Sequence, residues 1–207
     1  RRLLCTEAGL SESVFWNKSF QASELTRLTG AVAAFKKAKI FIDPTGGITI
    51  AELRAKARRL KLKENIDVIV IDYLQLMHAD GRVDSRQQEV AEISGGIKKL
   101  AKDLKVPVLV LAQLNREVDK TAGAGARPKL AHLRESGTIE QDADIVTFLH
   151  RNREDAKEVS SPYQSVEAEW IIEKNRNGRT GNLKLLFFPS RMEFIPAAPY
   201  SEEDCPK

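Results

Sequence analysis

Asp67-Val-Ile-Val-Ile-Asp72-Tyr-Leu-Gln-Leu-Met77 is the stretch whose reading decides the fold. Four consecutive β-branched residues, Val68 to Ile71, lie between the polar turn Glu64–Asn65 and a carboxylate. A continuous apolar run of this length predicts a strand buried on both faces, as in parallel sheets covered by helices. Asp72 then stands at the strand's carboxyl end, where open α/β sheets place their ligands. A carboxylate there suits a Mg²⁺ ion that keeps several waters and bridges to nucleotide phosphates. A strand-end capping aspartate fits the same residues, so the run alone leaves both readings open.

Outward from this strand the chain alternates helix and strand. Val106-Pro-Val-Leu-Val-Leu111 predicts a second buried strand, with Pro107 at its start where a missing N–H is tolerated. It delivers Gln113 to the same edge as Asp72. A neutral amide there can hydrogen-bond both a γ-phosphate and an attacking water; a glutamine that merely caps the strand is the plainer alternative. Asp144-Ile-Val-Thr-Phe-Leu149 reads as a further core strand. Upstream, residues 1–38 read as helical, with Leu25, Leu28, Val32 and Phe35 at helical spacing. Ile40-Phe-Ile42 predicts a short strand stopped by Asp43-Pro44.

Thr49 and Glu52 form a capping box opening a helix whose buried stripe is Ile50, Leu53, Ala57 and Leu60. Its Arg54, Arg58, Arg59 and Lys61 lie on outer faces and read as a solvated or subunit-facing surface more readily than as a nucleic-acid surface. Ser85 with Gln88 caps the helix that buries Val90, Ile93, Ile97, Leu100 and Leu104. Gly95-Gly96 inside it carries a penalty of about 1 kcal/mol per residue relative to Ala. Close packing against a neighbour would account for it.

The loops carry the basic residues. Asn115 to Lys129 mixes Gly and Ala with Arg116, Lys120, Arg127 and Lys129. A mobile basic loop beyond a strand end suits a phosphate backbone, and an ordinary surface loop fits the composition as well. In Arg134-Glu-Ser-Gly137, Gly137 permits close backbone approach and Ser136 can cap the short helix that follows. Further on, Glu169–Lys174 and Leu183–Phe188 bracket a glycine-rich turn and predict a β-hairpin. Lys174 and Arg176 alternate at its tip and so point to one side.

Four stretches together resemble the DnaB family of replicative DNA helicases, whose motor is a RecA-like ATPase. They are Asp72-Tyr-Leu-Gln-Leu-Met, similar to the family's Walker B segment, and Leu53-Arg-Ala-Lys-Ala-Arg-Arg-Leu60. The others are Leu133-Arg-Glu-Ser-Gly-Thr-Ile-Glu-Gln-Asp-Ala-Asp144 and Lys174-Asn-Arg-Asn-Gly178. The resemblance implies an α/β fold: a mostly parallel RecA-like sheet flanked by helices, with an antiparallel extension at the C-terminal edge. It implies ATP-driven movement of a hexameric ring of identical subunits along single-stranded DNA, with duplex unwinding at the replication fork. ATP and Mg²⁺ would sit between subunits, Asp72 orienting the metal through water and Gln113 sensing the γ-phosphate. Lys174 and Arg176 would reach the neighbouring nucleotide site as a lysine and an arginine finger, with Asn175 between them, and Arg2 would flank the adenine. Arg134, Glu135 and Gly137 would touch DNA phosphates, joined by Arg127 and Lys129. With few aromatics in these loops, sequence-independent backbone tracking is expected rather than base stacking. Primase and a helicase loader are the further partners the resemblance suggests.

No Gly-x-x-x-x-Gly-Lys-Ser/Thr phosphate loop occurs in the sequence. The family's loop and catalytic glutamate lie just upstream of the position matching Arg1. The expectation is therefore a motor domain lacking its N-terminal part, residues 1–195, followed by a disordered tail over 196–207. Such a chain alone is expected neither to bind ATP tightly nor to hydrolyse it. A related RecA-like ATPase of repair or clock type, and a non-enzymatic fragment that binds DNA or helicase subunits, are the rival readings. The composition excludes little: 207 residues, 42% apolar, 30% charged and a net charge of +4 describe an ordinary globular chain whose partners are set by local clusters. Cys5 and Cys205 have no metal-ligand spacing, no apolar run approaches the ~20 residues of a membrane span, and a cytoplasmic setting is expected.

Overall fold

The computed structural model describes residues 1–16, 20–114, 127–131, 137–151 and 164–197. In chain order its elements are α1 (Arg2–Ala8), α2 (Ser13–Trp16), α3 (Ala22–Lys37), α4 (Ile50–Glu64), β1 (Ile69–Ile71), α5 (Arg86–Leu104) and β2 (Val108–Val110). They continue with α6 (Gly137–Asp142), β3 (Ile145–His150), β4 (Val166–Asn175), β5 (Gly181–Phe188) and β6 (Glu193–Pro196). The described residues fall into two compact units. One is drawn from residues 1–40, 127 and 147–197, the other from 41–114, 128–131 and 137–146.

The second unit is built on the parallel pair β1–β2, with Ile69 opposite Val108 and Ile71 opposite Val110. Strand alternation sends these four residues to the face covered by α4 and α5. There they join Ile50, Leu74, Met77, Val90, Ile93 and Ile97 in one apolar cluster. The other face is open: Val68, Val70, Leu109 and Leu111 are 53%, 57%, 56% and 46% exposed. This corrects the expectation of strands buried on both faces. The helices described here cover one side only, and Val68 and Val70 project to the other.

Local chemistry fixes the two covering helices as the sequence predicts. Glu52 N–H donates to Thr49 Oγ1 at 3.3 Å and Thr49 N–H to Glu52 Oε2 at 3.0 Å, closing the capping box of α4. Ser85 Oγ accepts from Gln88 N–H at 3.3 Å to start α5. Arg54 and Arg58 both reach Asp103 of α5, at 3.6 and 3.1 Å, and Lys61 donates to the Ile66 carbonyl at 2.9 Å. Three of the four cations on the basic face of α4 thus make contacts within the unit.

The paired glycines of α5 separate into two cases. A Cβ on Gly96 would drive into Ile50, with Cδ1 at 3.1 Å and Cγ1 nearer still, whereas Gly95 faces open space. Ile50 is β-branched and buried, so it cannot swing away. Gly96→Ala is therefore expected to destabilise the protein by about 1–3 kcal/mol through overpacking. Gly95→Ala is expected to stabilise it by up to about 1 kcal/mol, the helix propensity difference. Denaturant midpoints of the two variants check the opposite signs.

In the first unit α1 and α3 pack through Ala8, Leu10, Leu28 and Ala31, with Leu4, Val14 and Phe15 against them. The stripe expected on α3 holds only in part: Leu28 is buried and Phe35 half-buried, while Leu25 and Val32 are exposed. The cluster with α1 takes in Leu28 and Ala31 of α3 and, among the described residues, leaves Leu25 and Val32 uncovered. Ile40-Phe-Ile42 is also corrected: it joins no strand ladder among the described residues, and all three side chains are exposed. A strand needs a partner for its backbone groups, and none is described beside this segment.

The remaining strands form a sheet in the order β3-β4-β5-β6, β3 crossing the division between the units at residues 146 and 147. β4 and β5 pair antiparallel from Val166–Phe187 to Ile172–Gly181, and β5 and β6 from Leu185–Pro196 to Phe188–Glu193. Ala168, Leu185 and Phe187 form its core cluster, and Phe187 stacks on Phe194 with centroids 4.4 Å apart. β4, β5 and β6 are the antiparallel extension expected after the parallel part. Residues 198–207, most of the expected tail, lie outside the described residues. Among the described residues no helix is long and apolar enough to cross a membrane.

Candidate active site

Because β1 and β2 run in parallel, their carboxyl ends share one edge. Asp72 follows β1 directly, through a cis Asp72–Tyr73 peptide. Its side chain is exposed and makes no hydrogen bond or ion pair among the described residues. A hard carboxylate in the open, at a strand's carboxyl end, fits a Mg²⁺ ion held through water and phosphate oxygens. No group of three or more His, Cys, Asp or Glu side chains among the described residues forms a protein cage for a metal.

Gln113 lies on the same edge, three residues beyond β2, with its side chain exposed. Its backbone is gripped by another glutamine. Gln75 Nε2 donates to the Gln113 carbonyl at 2.9 Å, and Gln113 N–H donates to Gln75 Oε1 at 3.2 Å. Gln75 sits in the 3-10 turn Leu74–Leu76, between Leu74 and Met77, which are 2% and 1% exposed. Its own carbonyl accepts from Arg86 Nη2 at 2.9 Å. Arg86 also pairs with Glu89, and this contact, ahead of those from His78 and Ala79, holds the Glu89 carboxyl below its ordinary range. His78 Nδ1 lies 3.3 Å from Glu89, and its backbone N–H donates to the Ile48 carbonyl at 3.2 Å. His78 is thus part of a structural clasp between the loop and α5.

The hairpin predicted over residues 169–188 is present in the other unit. Lys174 and Asn175 end β4, and Arg176 is the first residue of the turn, half-buried, half-buried and exposed in that order. Asn175 Nδ2 donates to the Arg179 carbonyl at 3.3 Å. A Cβ on Gly178 would meet that amide at 2.5 Å. Arg2, at the start of α1, has its guanidinium 3.9 Å from Glu12.

Of the residues expected at DNA, Arg134 and Glu135 lie outside the described residues, as does the loop 115–126. Gly137 opens α6, whose Ile139 packs on the core and whose Asp142 accepts from Ser94 Oγ at 2.7 Å. The motif's helical end is therefore anchored. Lys129 is exposed, and Arg127 is paired with Glu169 of β4 at 2.6 Å.

A family model described as the DnaB-like helicase C-terminal domain matches residues 1–196. The chain belongs to this family. Among DnaB-like relatives, the replicative DNA helicase DnaC of Bacillus subtilis (strain 168) is 41% identical over 195 residues, 94% of this chain and 42% of its own length. The replicative DNA helicase DnaB of Leifsonia xyli subsp. xyli (strain CTCB07) is 42% identical over 198 residues, 96% of this chain and 42% of its own. Among solved structures, a DnaB-like replicative helicase described with its interactions with primase superposes with a TM-score of 0.83 at 33% identity, covering 94% of this chain and 47% of that one. A second solved structure, described as an ATPase domain, gives 0.84 at 32% identity, covering 95% and 69%. The chain thus spans about two-fifths of the length of the curated relatives it matches, and its fold is that of the DnaB-like ATPase domain.

Within that fold, sequence reasoning did not single out Gln75. A polar residue set between two leucines in Tyr-Leu-Gln-Leu-Met was the available signal. Nothing in the spacing says that its amide reaches residue 113.

Proposed function

We propose that this chain is the motor portion of a replicative DNA helicase subunit. Six such subunits form a ring that hydrolyses ATP with Mg²⁺, moves along single-stranded DNA and unwinds the duplex ahead, in the cytoplasm, with primase and a loader as partners. The observation that carries this reading is the shared edge of β1 and β2, where an exposed carboxylate follows one strand and an exposed amide side chain the other in a DnaB-like domain. Mg²⁺ bound there would neutralise charge on the β- and γ-phosphate oxygens. Asp72 anchors and orients that ion through water. Gln113 presents its amide to the γ-phosphate and to the attacking water. Lys174 and Arg176, with Asn175 shaping the turn, act on the nucleotide of the adjacent subunit, and Arg2 flanks the base. Arg134, Glu135 and Gly137 contact DNA phosphates, with Arg127 and Lys129 adding charge near the path.

The test is strand separation of a forked duplex by the full-length subunit. Ring formation with ATP-dependent unwinding, absent with a non-hydrolysable analogue, is the expected result. ATP hydrolysis without rings and without unwinding would place the chain with repair- or clock-type RecA-like ATPases instead.

A further inference from the structure

Beyond Ile71 and Val110 the parallel ladder does not simply stop. Leu111 N–H donates to the Ile71 carbonyl at 2.9 Å and Leu74 N–H to the Leu111 carbonyl at 2.9 Å. The next rung is made by a side chain. The Gln75 amide donates to and accepts from the backbone of Gln113, as a strand's own peptide would. A primary amide can do this because it carries a carbonyl and N–H groups on one planar group. The surrogate is itself fixed, with buried anchors on both sides in Leu74 and Met77 and its carbonyl held by Arg86.

We infer that Gln75 is a positioning residue of the ATPase reaction: its amide sets the backbone of Gln113 and so aims the Gln113 side chain at the γ-phosphate and attacking water. This rests on the reading of Gln113 given above. The Gln113 side chain itself is exposed and makes no hydrogen bond or ion pair among the described residues, so only its backbone is held. Gln75 makes that backbone hold with two bonds, and it lies only three residues after Asp72. One short turn thus joins the metal-side carboxylate to the γ-phosphate-side amide. No other side chain among the described residues is bonded to the Gln113 backbone.

The test is a double-mutant cycle on ATP turnover by the full-length subunit in its ring. Gln75→Leu keeps the volume and removes both bonds. It is expected to lower kcat about 10- to 100-fold, as small misplacements of a reacting group do. KM for ATP and the melting temperature should stay close to those of the parent. Gln113→Ala should lower kcat by itself, and adding Gln75→Leu to it should cost nothing more, since Gln75 acts only through residue 113. Should Gln75→Leu fail to fold, Gln75→Glu serves: its carboxylate still accepts from Gln113 N–H but sets an acceptor against the Gln113 carbonyl, and the same kcat loss without further loss in the Gln113→Ala background is expected. Losses that add in the double variant, or a folded Gln75 variant with parental kcat, overturn the inference while leaving Gln113's role standing. A Gln113→Ala subunit with parental kcat overturns the γ-phosphate reading, and the inference falls with it.

Discussion

Replacing Arg176 with alanine in the full-length subunit is expected to lower ATP turnover by about 10³ or more, with nucleotide binding at the subunit's own site nearly intact. Arg176 is exposed at the first position of a turn, beyond a strand that ends with Lys174 and Asn175. Within the turn Asn175 Nδ2 donates to the Arg179 carbonyl, and a melting temperature close to the parent's checks that the hairpin stands in the variant. An arginine finger acts on charge that develops in the transition state, which is why its loss falls on turnover and spares binding. A cation merely solvated at a hairpin tip would leave turnover near normal, and steady-state ATPase assays with nucleotide-binding titrations separate the two outcomes. Arg176→Lys is a useful companion: a single ammonium replaces the planar guanidinium fork and should recover little of the loss.

How far the sequence carried depended on whether a residue's role is local. Caps and turns are decided within a few residues, and Thr49–Glu52, Ser85–Gln88, the stripe of α5 from Val90 to Leu100 and the hairpin around Gly178 appear as read, with Leu104 only half-buried. The shared edge of Asp72 and Gln113 followed from two apolar runs and the rule that parallel strands align their carboxyl ends. Burial was read less well because it depends on what lies across a face. Val68 and Val70 look the same in sequence as Ile69 and Ile71, yet one pair meets α4 and α5 and the other is open. The same holds for Leu25 and Val32 beside Leu28, and for Ile40-Phe-Ile42, whose strand propensity has no ladder to join. The role of Gln75 and the partner of Gly96 escaped for a third reason. The residues contacted, Gln113 and Ile50, are far away in sequence, and no pattern in the intervening residues announces a contact.

Asp72→Asn separates the two readings that the apolar run by itself leaves open. A capping aspartate can be replaced by asparagine with little change, since both accept from backbone N–H groups. A carboxylate that orients a divalent cation cannot, because the substitution removes the charge while keeping the shape. Asp72 makes no hydrogen bond among the described residues, so capping has no acceptor–donor pair to preserve. Two unit charges 4 Å apart interact by about 4 kcal/mol at an effective dielectric near 20. The divalent charge raises this and an intervening water lowers it, leaving several kcal/mol, or about 10²–10³ in turnover at 1.4 kcal/mol per factor of ten. The readout that isolates the metal is nucleotide binding as Mg²⁺ is titrated: Asp72→Asn should need more Mg²⁺ for half-maximal binding and match the parent when the metal is chelated. Mixing these subunits with Arg176→Ala subunits then joins both assignments. Each variant alone should be nearly inactive, but a mixed ring has interfaces where Asp72 comes from the Arg176→Ala subunit and Arg176 from its Asp72→Asn neighbour. Those interfaces are complete, so turnover should reappear on mixing. Mixed rings that form and stay inactive would mean that the two residues act within one subunit, or that the ring fires only when every interface is intact.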